Sequence, residues 1–229
     1  MALEELKKQA AEKAVELIES GMVVGLGTGS TAVYAVRAIG RLLQDGALTN
    51  IIAIPTSEAT AALARECQIP LTTLQEQPVI DLTIDGADEI TPNLDLTKGL
   101  GGALLREKIV AAASKQNIII ADHTKRVDRL GTRSPIPVEV IPFAEQTVRL
   151  HLEGLGAKVV KRMVQGEEER PFITDENNLI FDFHIPPIDN PATLAQAILA
   201  QPGIVEHGLF LGLATQAIFA TPTGISTIP

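Results

Sequence analysis

The stretch MVVGLGTGSTAVYAVRAIGRLL, residues 22–43, decides how the fold is read. A short apolar run ends in a turn rich in glycine and hydroxyls, and a segment of helical periodicity follows from Ser30. The same order recurs downstream. IIAIP (51–55) reads as a strand and SEATAALARECQ (57–68) as a helix; VIDLTID (79–85) is a strand, GALLREKIVAAASK (102–115) a helix and NIIIAD (117–122) a strand. This alternation predicts βαβ units and a Rossmann-like, mostly parallel sheet with helices on both faces. Ligands of such sheets lie beyond the carboxyl ends of the strands. Upstream, Leu3, Leu6, Ala10, Leu17 and Ile18 recur at helical spacing and predict a first helix closed by Gly21.

Past Leu130 the texture changes. GTRSPIPVEVIPF (131–143) is proline-rich and strand-like, AEQTVRLHLEGLG (144–156) helical, and AKVVKRM (157–163) strand-like. FITDENNLIFDFHI (172–185) reads as a hairpin turning at Glu176, Asn177 and Asn178. PATLAQAILAQ (191–201) is a helix opened by Pro191. The predicted division is a Rossmann-like domain from residues 1–130 with 211–229, and a smaller α+β, ferredoxin-like domain from 131–210. The charged segment QGEEERPF (165–172) has no assigned role.

Composition excludes several function classes. With 229 residues and 45% hydrophobic side chains, the chain is globular and long enough for a sizeable core. Aromatics are only 3%, so Ala, Val, Ile and Leu must build that core, as in parallel sheets. A formal charge of −9 argues against nucleic acid, and it obliges any anionic ligand to find local cations and backbone N–H groups. The single cysteine, Cys67, excludes an internal disulfide and reads as a small apolar helix residue. The four histidines are scattered without ligand spacing, so no metal site is expected. The first twenty residues lack a signal-peptide core and are too acidic for a transit peptide, and no apolar run reaches bilayer-spanning length. The expectation is a cytoplasmic protein with no membrane partner.

Five stretches are the candidates to carry the chemistry. GLGTGST (25–31) places Thr28, Gly29, Ser30 and Thr31 at a helix N-terminus, an arrangement that holds an anion. It is neither the dinucleotide fingerprint, since Ser30 replaces the third glycine, nor a Walker loop, since no lysine follows. A plain turn with Ser30 as helix cap is the alternative. PTSEAT (55–60) reads first as a turn capped by Ser57, lying beside that loop. In TIDGADEI (83–90), Asp85 and Asp88 flank Gly86 and Ala87. A solvated acidic loop is the bland reading; the strand end and the following loop favour a site. Glu89 is read as structural or solvent-facing. In LTKGLGGALLREK (96–108), Lys98 precedes Gly99, Leu100, Gly101 and Gly102, where it could steady an oxyanion or simply face solvent. Glu107 has only Ala103, Leu104, Val110 and Ala111 at helical spacing, so no helical ion pair is open to it, and it is the best candidate for a general base. Lys125, in ADHTKRVDRLG (121–131), can bring charge to the same sheet edge. No serine elbow supports nucleophilic catalysis.

Taken together, VVGLGTGST, TSEAT, DGADEI, KGLGGALLREKIVA and PVEVIP resemble the ribose-5-phosphate isomerases of type A, in order and over nearly the whole chain. The resemblance implies a metal-free, cofactor-free, homodimeric or homotetrameric enzyme of the pentose phosphate pathway acting on a sugar phosphate. It assigns substrate binding to Thr28, Gly29, Ser30, Thr31, Asp85, Gly86, Ala87, Asp88, Lys98, Gly99, Leu100, Gly101 and Lys125. Asp85 and Asp88 would assist ring opening, Lys98 would stabilise the enediolate, and Glu107 would be the proton acceptor. Leu100 departs from the family pattern, in which a third glycine is common. Two other classes compete: a related sugar-phosphate isomerase or CoA-transferase-like protein with a different pocket, and a sugar-phosphate sensor with no base. The sensor would be expected to carry a DNA-binding helix-turn-helix segment, and none is evident.

Overall fold

The computed structural model describes residues 2–164 and 170–229, so most of the charged segment 165–172 lies outside the described residues. The chain divides into two compact units: Met1–Ala87 with Arg106–Arg126 and Gly212–Pro229, and Asp88–Leu105 with Val127–Leu211.

The first unit is built on a six-stranded sheet in the order Gly224–Ile228, Gln216–Thr221, Ser114–Asp122, Ile80–Gly86, Val23–Leu26, Ile52–Pro55. Five strands run parallel and only the outermost, Gly224–Ile228, is antiparallel. Strand order reverses on either side of Val23–Leu26, which neighbours Ile52–Pro55 on one edge and Ile80–Gly86 on the other. Such a reversal opens a crevice at the carboxyl ends of the strands. Helices Leu3–Val15 and Ala32–Gln44 press Leu6, Ala10, Ala14, Val36 and Ile39 onto Val24, Leu26, Leu82, Ile84 and Ile120. Alternate strand residues supply that layer, and small helix residues let the backbones come close. On the helix Leu104–Ala112, Val110 joins Ile54 and Ile80 in a separate apolar cluster.

The first helix stops at Val15, short of the Gly21 predicted from periodicity. Leu17 and Ile18 donate to Ala14 and Val15 at 3.0 and 3.1 Å, tighter i→i−3 bonds that leave the α-helix yet still bury Ile18. A turn of this kind preserves the apolar spacing, so the pattern overran the helix. Gly21, at φ +91°, instead turns the chain toward the next strand. Cys67 caps the helix Glu58–Glu66, half-buried, and burial pushes its thiol up.

The second unit contains a four-stranded antiparallel sheet in the order Ile204–His207, Ile136–Val140, Leu179–His184, Lys158–Lys161. Helix Glu145–Gly154 links the strands Ile136–Val140 and Lys158–Lys161, and helix Pro191–Leu199 links Leu179–His184 to Ile204–His207. This is the ferredoxin-like βαββαβ arrangement. Val138, Val140, Val148, Leu152, Phe181, Phe183 and Ile198 fill its core. The hairpin turns at Asn177, whose φ of 61° is one that asparagine tolerates. A smaller three-stranded sheet, Leu209–Phe210, Leu96–Thr97 and Glu89–Ile90, flanks Asp88 and Lys98 in sequence. Among the described residues no helix is long and apolar enough to cross a membrane.

Candidate active site

In the first unit the glycine turn and the acidic strand end meet. The backbone N–H of Thr28 donates to Asp85 Oδ1 at 3.1 Å, and Gly86 N–H donates to the same oxygen at 2.7 Å. Asp85 is 2% exposed. Two of the glycines serve this meeting rather than a ligand: a Cβ at Gly25 would lie 1.9 Å from Thr83 Oγ1, and one at Gly27 would lie 2.2 Å from Asp85 Oδ1. Gly29 is different, at φ +114° with open space around it. Gly29 and Ser30 are exposed and Thr31 is half-buried. No side chain caps the helix Ala32–Gln44, which removes the alternative reading of Ser30 as a cap.

Thr28 has its side chain committed inward. Its Oγ1 lies 2.7 Å from Thr56 Oγ1, 2.8 Å from Ser57 Oγ and 3.0 Å from Thr60 Oγ1. Ser57 also caps its own helix, accepting from Thr60 N–H at 3.0 Å. The two hydroxyl turns therefore form one network, and within it Thr28 acts as a brace. Lys125 ends a 3₁₀ turn, His123–Lys125, that follows strand Ser114–Asp122 and is capped by Asp122. It is half-buried.

Glu107 stands in the first turn of helix Leu104–Ala112 and is 4% exposed. Its neighbour Arg106 pairs with Glu58 at 2.8 Å, which ties this helix to the turn carrying Ser57 and holds the Glu58 carboxyl below its ordinary range. A cavity of about 470 Å³ lies beside that pair, lined in part by Ile54, Ala61, Leu74 and Ile109. None of Thr28, Ser30, Asp85, Glu107 or Lys125 lines it.

In the second unit the Lys98 loop folds around Asp88. Asp88 donates its N–H to Thr97 O at 2.8 Å and accepts from Leu100 N–H on Oδ2 at 3.0 Å. Lys98 is 3% exposed, its N–H bonds Gly208 O at 2.8 Å, and its ammonium lies 5.5 Å from the Phe210 ring centre, within cation–π range. The Leu100 side chain and Gly101 are exposed.

Glu89 is fully buried, so its solvent-facing reading is overturned and the structural one stands. Its carboxylate accepts from the backbone N–H of Gly131 at 2.7 Å, of Arg133, and of Ser134 at 3.0 Å, and from Thr97 Oγ1. His207 is likewise buried, and its Nδ1 accepts from Leu209 N–H at 3.2 Å. Two residues were passed over in the sequence reading: Arg162, which donates to the Lys98 loop at Gly99 O, and Asp182, which holds Arg162. No periodic or motif signal marks them. Among the described residues no group of three or more His, Cys, Asp or Glu side chains is placed to hold a metal.

The first unit thus carries hydroxyl and acidic turns at the carboxyl edge of a mostly parallel α/β sheet. The family described as ribose 5-phosphate isomerase A (phosphoriboisomerase A) matches residues 52–224. A ribose-5-phosphate isomerase A of Roseiflexus castenholzii is 52% identical over 96% of this chain and 93% of its own. One from Synechococcus is 52% identical over 98% and 97%. A D-ribose-5-phosphate isomerase solved with phospho-erythronic acid superposes with a TM-score of 0.96 at 40% identity over 99% of both chains. The Methanocaldococcus jannaschii structure gives 0.93 at 39% identity, again over 99% of both. The chain belongs to the ribose 5-phosphate isomerase A family.

Proposed function

We propose that this isomerase interconverts D-ribose 5-phosphate and D-ribulose 5-phosphate by proton transfer through a cis-enediolate, without a metal or other cofactor. Glu107 takes the proton from C2 of the open aldose while negative charge gathers on O1. The same carboxyl then returns the proton to C1 while the O2 hydroxyl proton passes to O1, leaving a ketone at C2 and an alcohol at C1. Asp85 and Asp88, with Gly86 and Ala87 between them, engage the sugar hydroxyls and assist ring opening. Lys98, with Gly99, Leu100 and Gly101, stabilises the enediolate. The turn at Gly29, Ser30 and Thr31, braced by Thr28, anchors the phosphoryl group with Lys125. The solved relative that carries phospho-erythronic acid holds an acid with a phosphoryl group, the two kinds of charge this assignment needs.

The observation that carries the proposal is the burial of Glu107, 4% exposed at the head of its helix in a chain of this family. A positioned base contributes about 10²–10⁴-fold, and each oxyanion donor roughly 2.7–4 kcal/mol. The activity belongs to the pentose phosphate pathway, in the cytoplasm, and the working form is a homodimer or homotetramer. The test is conversion of ribose 5-phosphate by the parent protein and Glu107→Gln, with and without a chelator. Turnover is expected to ignore the chelator and to fall by about 10²–10⁴-fold in the variant, with KM largely kept. Full turnover by Glu107→Gln would refute the assignment of the base.

A further inference from the structure

Arg162 lies between strands Lys158–Lys161 and Met163–Val164 of the second unit, far in sequence from every motif above. Its guanidinium forms a two-pronged pair with Asp182: Nε donates to Oδ2 at 3.0 Å and Nη2 to Oδ1. The two side chains are 12% and 18% exposed. The remaining nitrogen, Nη1, donates to Gly99 O at 2.8 Å and to Leu100 O at 3.1 Å. One planar fork thus holds a carboxylate on one edge and two successive peptide carbonyls on another.

Peptide planarity gives this grip a consequence. In a trans peptide the C=O and the following N–H point opposite ways, so fixing one fixes the other. Holding Gly99 O turns the Leu100 N–H away from Arg162, and that N–H reaches Asp88 Oδ2 at 3.0 Å. Holding Leu100 O turns the Gly101 N–H away in the same manner, at a residue that is itself exposed. The loop is closed behind by the Gly102 N–H bond to Gly99 O at 3.0 Å. Phe172, whose N–H binds Arg162 O at 2.9 Å, packs so close to Gly102 that a Cβ there would lie 2.3 Å from its ring.

We infer that Arg162, held in its rotamer by Asp182, is a positioning residue that sets the peptide orientation of residues 99–101 and so aims the Gly101 N–H and the Asp88 carboxylate at the substrate. It acts through the loop and touches no reacting atom. The inference rests on the proposed function, which makes this loop the cradle of the enediolate. Lysine cannot replace the fork, because three donors on one nitrogen do not span a carboxylate and two carbonyls.

The test compares Arg162→Lys, Asp182→Asn and their double variant with the parent protein, and runs Glu107→Gln beside them. Arg162→Lys is expected to lower kcat roughly 10²-fold with KM nearly unchanged, since a small misplacement of a catalytic cradle costs about that much. Asp182→Asn shifts kcat in the same direction by less, and the double variant falls short of the product of the two losses. Amide exchange at Gly101, measured without substrate, quickens in Arg162→Lys. Parental kcat in Arg162→Lys, while Glu107→Gln is inactive, overturns this inference alone. A loss of melting temperature with kcat and KM worsening together, and Gly101 exchange unchanged, shows a merely structural pair and also overturns it. Full turnover by Glu107→Gln overturns the reading of the site and this inference with it.

Discussion

The Thr28 amide donates to the Asp85 carboxylate at 3.1 Å, a bond from the loop after one parallel strand to the end of the neighbouring strand. Gly27 makes it possible. A Cβ there would lie 2.5 Å from Asp85 Cα, and backbone cannot swing aside as a side chain can. Gly27→Ala is therefore expected to part these strands, lowering unfolding free energy by about 1–3 kcal/mol and reducing kcat. Urea denaturation and an isomerase assay check both. An unaltered midpoint would show that the strands yield more easily than close packing implies.

Ser30 and Thr28 should separate cleanly in kinetics. Ser30 is exposed beside an open glycine, so Ser30→Ala is expected to raise KM with kcat little changed, the mark of binding lost equally from ground and transition states. Thr28 instead braces Thr56, Ser57 and Thr60, so Thr28→Val should cost stability, by about 1–3 kcal/mol, through hydroxyls left short of partners. A Thr28→Val protein of parental stability would contradict the brace.

Glu89 binds a loop more than forty residues away, through N–H groups of Gly131, Arg133 and Ser134. Glu89→Gln substitutes an amide donor for one acceptor oxygen and sets it against those donors. A loss of about 1–3 kcal/mol is expected, with faster proteolytic cleavage near residue 132. Cleavage at the parental rate would argue that the loop is held by other contacts.

Glu139 gives a pH signature. It is 1% exposed, and both Thr174 Oγ1 and Asn178 Nδ2 donate to its Oε1 at 2.9 Å. Burial pushes its carboxyl above the ordinary 4.5, outweighing those two hydrogen bonds, and Glu176 and Asp175 push the same way. A raised folded-state value means that the protonated group's stabilisation is complete below the unfolded value and is lost as pH rises through the folded one. Glu139→Gln cannot ionise. It is expected to melt higher than the parent near pH 8, with the advantage fading toward about pH 4. Melting curves across that range test this, and a difference that does not change with pH would exclude ionisation as the cause.

The parts of the fold that were legible in the sequence are those written in local patterns. Val24, Leu26, Leu82 and Ile84 alternate toward one apolar layer, and the turns after their strands carry the hydroxyls and acids. Ser57 was readable as a cap because capping acts over three residues. What escaped depends on chain segments brought together only by folding. Gly25 and Gly27 belong to a turn that reads as an anion loop, but Thr83 and Asp85 occupy the space they leave. Glu89 could be read as structural or solvent-facing, and only its donors at residues 131–134 decide between the two. Arg162 falls in a stretch that reads as one ordinary strand and folds as the break between two, and its importance to the Lys98 loop is set by a separation of 63 residues.

The parallel pairing of Gln216–Thr221 with Ser114–Asp122 also has a meaning for biosynthesis. Asn117 and Thr215, which bond at 3.0 Å beside that pairing, lie 98 positions apart. At a synthesis rate of about 5–20 residues per second, the growing chain waits roughly 5–20 s between making the first strand and making its neighbour. Throughout that interval the apolar edge of Ser114–Asp122 is a sticky rim on the ribosome, and shielding it falls to chaperones or to speed.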